Sequence, residues 1–166
     1  MPIIIQIVGY KNTGKTTLVC RLTEHLKLAG YKVGTVKRDA HDFQIDTPGT
    51  DTWKHQAAGA DITAITSANR TAILKPYSEP LDQLLAHMSE VDVVLVEGFK
   101  DASYPKIIMI RSAQDTALLN ELTNPLAAAL WPEMSNFMAD NSSIPAIDVN
   151  QTALMYQKII ALLPLS

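Results

Sequence analysis

Residues 3–17 read Ile3-Ile4-Ile5-Gln6-Ile7-Val8-Gly9-Tyr10-Lys11-Asn12-Thr13-Gly14-Lys15-Thr16-Thr17. Ile3 to Val8 is a nearly continuous β-branched run, the pattern of a strand buried on both faces of a parallel sheet. Gly9 ends it, and from Lys15 the apolar spacing becomes helical, with Leu18, Leu22 and Leu26 on one stripe and Gly30 as the stop. The turn between them, Gly9 to Thr16, satisfies the pattern glycine, four residues, Gly-Lys-Ser/Thr. Its setting between a strand and a helix gives the match its weight. Glycines let the backbone wrap an anion closely, the amides of such a turn face inward, and the helix aims its positive dipole end at the ligand. Gly9, Tyr10, Lys11, Asn12, Thr13, Gly14, Lys15, Thr16 and Thr17 are therefore the candidate residues for the phosphates of a purine nucleoside triphosphate. Lys15 would neutralise the β and γ oxygens, Thr16 offers a hydroxyl of the kind that ligates Mg²⁺, and Thr17 adds a hydrogen bond near the α-phosphate.

Working outward, Tyr31 to Val36 reads as a second strand returning parallel to the first. Arg38 to Asp51 is polar and contains Pro48-Gly49, which predicts an extended loop at the carboxyl end of that strand, and Asp51 to Gly59 reads as a short helix. Ile62 to Thr66 and Thr71 to Leu74 read as a hairpin turning at Ser67-Ala68-Asn69-Arg70. Leu81 to Met88 has helical spacing, and Val91 to Val96 and Ile107 to Ile110 are further buried strands. Beyond them Pro125 to Leu130 reads as helical, Ala146 to Val149 as a weak strand and Thr152 to Leu163 as a terminal helix. Strands alternating with helices predict an α/β protein: a three-layer P-loop NTPase fold with a mostly parallel central sheet, in a single domain over residues 1–166.

The strand Val91 to Val96 ends in Glu97-Gly98-Phe99-Lys100. Glu97 is a candidate metal-holding and catalytic carboxylate, placed to hold Mg²⁺ through a water or to orient an attacking water; the plainer alternative is a strand-end acid facing solvent. Asp46, in the loop after the second strand, is a second candidate for both roles, set against an acid that caps the next helix. Lys37 and Arg38 are candidates for an anionic ligand, and Asp39, His41 and Asp42 form a weaker candidate for a transition metal. Cys20 reads as a packed thiol, His25, His55 and His87 as helix-surface residues, and Trp53 and Trp131 as core or half-buried residues without a site role.

The formal net charge of −3 argues against a general nucleic-acid surface, and one cysteine excludes an intrachain disulfide framework or a thiolate metal cage. Met1-Pro2 leads directly into the first strand with no basic leader or long apolar stretch, so a soluble, cytoplasmic chain with no membrane partner is expected.

Gly9 to Thr17, Val36 to Asp42, Asp46-Thr47-Pro48-Gly49-Thr50-Asp51-Thr52, Ala57-Ala58-Gly59-Ala60 and Val94 to Lys100 occur in an order that closely resembles the molybdopterin-guanine dinucleotide biosynthesis protein B family, MobB. The resemblance covers about the first two thirds of the chain. It implies a GTP- and Mg²⁺-binding adapter, a weak GTPase at most, that assists the guanylyltransferase MobA when GMP is joined to molybdopterin, and that forms a homodimer. A small-molecule P-loop kinase is the main rival, although Arg21, Arg38, Arg70 and Arg111 are scattered rather than grouped as a lid. A nickel metallochaperone would want more cysteine or histidine, and the Asn-Lys-x-Asp segment of regulatory GTPases is missing from the sequence. Guanine preference therefore follows from the resemblance alone.

Overall fold

A computed structural model describes residues 1–39, 41–136 and 143–163. The chain divides into two compact units, Met1–Arg38 with Leu84–Ser166, and Asp39–Gln83.

In the larger unit six strands form one sheet: β1 (Ile3–Val8), β2 (Val33–Lys37), β5 (Val93–Glu97), β6 (Lys106–Ile110), β7 (Pro125–Leu130) and β8 (Ala146–Asp148). Their order is β2-β5-β1-β6-β7-β8, and every neighbouring pair is parallel. Side chains alternate between two apolar clusters. Ile5, Ile7, Ile107, Met109, Ala127 and Ala129 face one layer with Leu18, Leu22 and Leu26 of helix α1 (Lys15–Leu28) and Met155 and Ile159 of helix α5 (Thr152–Ile160). Val8, Ile108, Ile110, Ala128 and Leu130 face the other, with Leu118 of α4 (Leu118–Glu121) and Met134 of a short 3-10 turn. This is the three-layer α/β arrangement expected from the alternating pattern, and each strand needs apolar residues on both faces because both are covered.

Pro125–Leu130 corrects the sequence reading: it is strand β7, not a helix. Alanine's helix preference is worth only about 0.7 kcal/mol per residue against the poorer ordinary residues. Here it is outweighed by pairing with β6 and β8 and by burial of both faces. Pro125 sits at the first position of the strand, where a missing N–H is tolerated. Cys20 is a second correction: it is exposed, because the buried stripe of α1 runs through Leu18, Val19, Leu22 and Leu26 and position 20 falls outside it. His25 is more than a surface residue, since its ring nitrogen lies 3.0 Å from Thr152 Oγ1 and its ring stacks on Tyr156, tying α1 to α5.

The smaller unit holds α2 (Asp51–Ala57) and an antiparallel hairpin of β3 (Thr63–Thr66) and β4 (Thr71–Leu74), turning at Ser67 to Arg70 as expected. Helix α3 (Leu81–Ala86) follows. Trp53, expected to be core or half-buried, is 41 % exposed on α2, a helix with no buried residue. Among the described residues no helix is long and apolar enough to cross a membrane.

Candidate functional site

Strand β1 delivers the chain to the turn fully buried at Val8, and local sterics then dictate glycine. A Cβ on Gly9 would stand 2.7 Å from Thr13 Oγ1 and 2.9 Å from Met109 Cβ, closer than a real side chain tolerates. Asn12 (φ 62°) and Gly14 (φ 90°) take left-handed conformations that reverse the backbone. The buried Thr13 hydroxyl donates to Tyr10 O at 2.9 Å and closes the turn on itself. Gly14 caps α1 without a side-chain hydrogen bond, and the first helical turn carries no acid. The N-terminal N–H groups of that helix are thus left for an anion.

Cationic and acidic side chains converge here from three strand ends. Lys15 Nζ donates to Tyr10 O at 2.7 Å. Burial lowers the Lys15 pKa; Glu97 opposes that shift, while Lys100 and Lys37 add to it by like-charge repulsion. Glu97, buried at the end of β5, accepts from the Thr16 hydroxyl with both oxygens at 2.9 Å, and Lys37 Nζ of β2 lies 3.5 Å from its Oε1. The register explains the meeting, because Ile7 of β1 and Lys37 of β2 both pair with Glu97. Beyond Glu97 the backbone turns through Gly98 (φ 96°) and Phe99 (φ 53°), and the buried Gln6 side chain donates to both carbonyls, at 3.2 and 2.6 Å. Lys100 lies 4.0 Å from the centroid of the Tyr10 ring, and Arg38 lies 5.4 Å from that of Phe99.

The far side of the turn is braced by residues to which the sequence reading gave no role. Trp131, at the end of β7, donates its indole N–H to Thr13 O at 2.9 Å, and Arg111, at the end of β6, donates to Asn12 O at 2.6 Å. The Arg111 guanidinium lies 4.7 Å from the centroid of the Trp131 ring. Beside them opens a cavity of about 130 Å³ lined by Gly14, Thr17, Leu18, Arg21, Trp131, Val149 and Asn150. Arg111 follows a predicted strand, but Trp131 follows a stretch that reads as helical, so the sequence did not mark the pair as neighbours of the turn.

Asp46 belongs to the smaller unit. Its carboxylate accepts from Thr47 N at 2.9 Å, lies 2.8 Å from the Thr50 hydroxyl, and accepts from Gln56 Nε2 at 3.0 Å. Desolvation pushes its pKa up, but hydrogen bonds from Thr50, Thr52, Thr47 and Gln56 outweigh that and hold it below the usual carboxylate value. Thr50 in turn caps α2 by accepting from Trp53 N at 3.4 Å. Asp46 thus organises the Asp-Thr-Pro-Gly-Thr turn into the helix. His41 N donates to Asp39 Oδ1 at 3.1 Å, Ala40 lies outside the described residues, and no group of three or more His, Cys, Asp or Glu side chains poised for a metal occurs among those described.

Residues 4–131 match the family described as molybdopterin guanine dinucleotide synthesis protein B, MobB. The chain belongs to the MobB family. That match spans the phosphate turn, Asp46, Glu97 and Trp131 alike. Among MobB relatives, the chain is 37% identical over 120 residues to the probable molybdopterin-guanine dinucleotide biosynthesis adapter protein of Bacillus subtilis, covering 70% of this chain and 69% of that one. It is 30% identical over 160 residues to the molybdopterin-guanine dinucleotide biosynthesis adapter protein of Haemophilus influenzae, covering 94% of this chain and 83% of the relative. The crystal structure of Bacillus subtilis MobB superposes with a TM-score of 0.81 at 29% identity over the full length of both chains.

Proposed function

We propose that the chain binds GTP with Mg²⁺ at the Gly9 to Thr17 turn and acts as an adapter in molybdopterin-guanine dinucleotide biosynthesis. In that role it assists a MobA-like guanylyltransferase as GMP is joined to molybdopterin. The reading includes a homodimer in the cytoplasm that hydrolyses GTP slowly, if at all, without its partner. It rests on family membership, on the names of the relatives, and on one observation: the contact of Thr16 with Glu97 beside Lys15 in a turn whose amides await an anion.

The donor chemistry suits the metal. A threonine hydroxyl and a carboxylate are hard oxygen donors of the type Mg²⁺ prefers, and Mg²⁺ completes its shell with waters and phosphate oxygens rather than with a full protein cage. Thr16 and Glu97 would hold it, directly or through water, and the ion would supply charge neutralisation for the β and γ oxygens. Lys15 supplies a movable cation: its ammonium rests on Tyr10 O and can exchange that neutral carbonyl for phosphate oxygen. An adapter needs the nucleotide bound more than it needs it cleaved.

Calorimetric titration with GTP and ATP, each with and without Mg²⁺, tests the binding reading. Micromolar or tighter Mg²⁺-dependent GTP binding is expected, and no binding of either nucleotide sinks it. GTPase rates measured with and without the guanylyltransferase test the adapter reading, which fast turnover by the isolated protein would defeat.

A further inference from the structure

Gln6 is the one polar residue of β1, and it is fully buried. Strand alternation turns it, with Val8, away from the layer of α1 and toward the opposite one. There the chain passes from the end of β5 to the start of β6, with β1 lying between those strands in the sheet. Residues 98–105 form neither helix nor strand, so their backbone groups need partners from outside. Three side chains supply them. Gln6 Nε2 donates to Gly98 O and Phe99 O, Lys106, its register partner on β6, donates to Ala102 O, and Asn124 Nδ2 donates to Ser103 O at 2.5 Å.

The first of these anchors holds something the others do not. Gly98 and Phe99 are consecutive left-handed residues, and for phenylalanine, at φ 53°, that conformation is strained. The two carbonyls that Gln6 grips belong to the peptide planes on either side of the Phe99 Cα, so a single carboxamide fixes both backbone torsions of the strained residue. The residue that follows is Lys100, whose ammonium stands 4.0 Å from the centroid of the Tyr10 ring in the phosphate turn. It is near enough to Lys15 to lower the Lys15 pKa by repulsion. Packing alone does not explain a glutamine here. Its Oε1 is buried with no hydrogen-bond partner among the described residues, and an apolar side chain of the same length would fill the space without that cost.

We propose that Gln6 is a positioning residue for the nucleotide site: by holding Phe99 left-handed it delivers the Lys100 ammonium to the Tyr10 side of the phosphate turn, where Lys100 serves the polyphosphate as a second cation beside Lys15. The assignment rests on the phosphate-site reading and deepens it. Gln6 touches no ligand itself. It acts from inside the strand that leads into the turn, so the turn and the connection bearing Lys100 are referred to one buried group.

The test is Mg-GTP affinity by calorimetry for wild type, Gln6→Met, Lys100→Ala and the double variant. Methionine keeps the length of the side chain and cannot donate. Phe99→Pro, whose ring fixes φ near about −65°, breaks the same conformation from the loop side and stands in for Gln6→Met should that variant fail to fold by circular dichroism. Each single variant is expected to bind about 5- to 10-fold more weakly. The double variant should match Lys100→Ala within about twofold, because Gln6 acts through Lys100. Lys106→Met is the control for general loosening: it removes the neighbouring anchor of the same connection, and its affinity should stay within about twofold of wild type. Losses that multiply in the double variant, an equal loss in Lys106→Met, or unchanged affinity in the folded Gln6→Met or Phe99→Pro protein each overturn the positioning role and leave the phosphate site standing. Failure of the wild-type protein to bind Mg-GTP overturns both.

Discussion

The hydroxyl of Thr16 and the carboxylate of Glu97 meet at 2.9 Å although 81 residues separate them in the chain. Parallel pairing of β1 with β5 makes that possible, because Glu97, which ends β5, lies level with Ile7, two residues before the phosphate turn begins. If the pair holds Mg²⁺, Thr16→Ala and Glu97→Gln should each weaken Mg-GTP binding about 10- to 100-fold. Binding of metal-free GTP should change little. Calorimetry with Mg²⁺ and with chelator separates the two, and equal losses in both conditions would count against a metal role.

Lys15→Ala should reduce triphosphate affinity by at least about 30-fold, taking about 2 kcal/mol or more for a charge-assisted contact to phosphate, while circular dichroism and the unfolding midpoint stay near wild type. The side chain rests on a carbonyl of its own turn and carries none of the apolar core.

Alkaline pH should weaken nucleotide binding before an ordinary lysine would titrate. Burial lowers the Lys15 pKa, with Lys100 and Lys37 adding to the shift and Glu97 opposing it, and phosphate binds the charged form. Stability runs the other way. The penalty for a charged, partly buried Lys15 is full at neutral pH and is relieved as pH rises through its folded value, where the unfolded chain still holds the proton. Lys100→Ala should therefore move the alkaline loss of GTP affinity to higher pH, and an unmoved profile would refute that coupling.

Gly9→Ala should cost about 1–3 kcal/mol in urea unfolding, because the new methyl meets Thr13 Oγ1 and Met109 Cβ at under 3 Å. Gly49→Ala is a useful contrast: no atom of the described residues lies within 4 Å of its added methyl, so the cost expected there is that of its left-handed backbone.

Lys106 is fully buried at the start of β6, and its ammonium donates to Ala102 O at 2.9 Å and Thr123 O at 2.7 Å. Lys106→Ala should lower stability by about 2–4 kcal/mol, since it empties volume and strands two carbonyls. Burial also lowers the Lys106 pKa, so in wild type this residue's contribution to stability improves as pH rises through the folded value. A Lys106→Ala protein should lack that rise.

Most of the sheet and half of the site are legible in the residues themselves. Ile3 to Val8 and Thr71 to Leu74 carry enough β-branched and apolar pattern to fix their bounds, and the glycine-lysine-threonine spacing marks the cradle wherever a strand precedes it. Glu97 could be paired with that cradle because it ends a wholly apolar strand. Pro125–Leu130 misled because alanine is favoured in helices and the burial that overrides this preference comes from distant strands. Trp131 and Arg111 were invisible for the same reason. Their partners, Thr13 and Asn12, lie 118 and 99 residues away, and nothing local in the sequence announces the contact.

Those two contacts bear on how the cradle behaves before any ligand arrives. A trans peptide unit is planar, so its carbonyl and the N–H that follows point in opposite directions. No cis bond occurs among the described residues. Anchoring the oxygens of Asn12 and Thr13 to an arginine and an indole on the outside thus commits the N–H groups of Thr13 and Gly14 to the inside. The crown of amides is set in advance, and an arriving polyphosphate has little backbone rotation left to freeze.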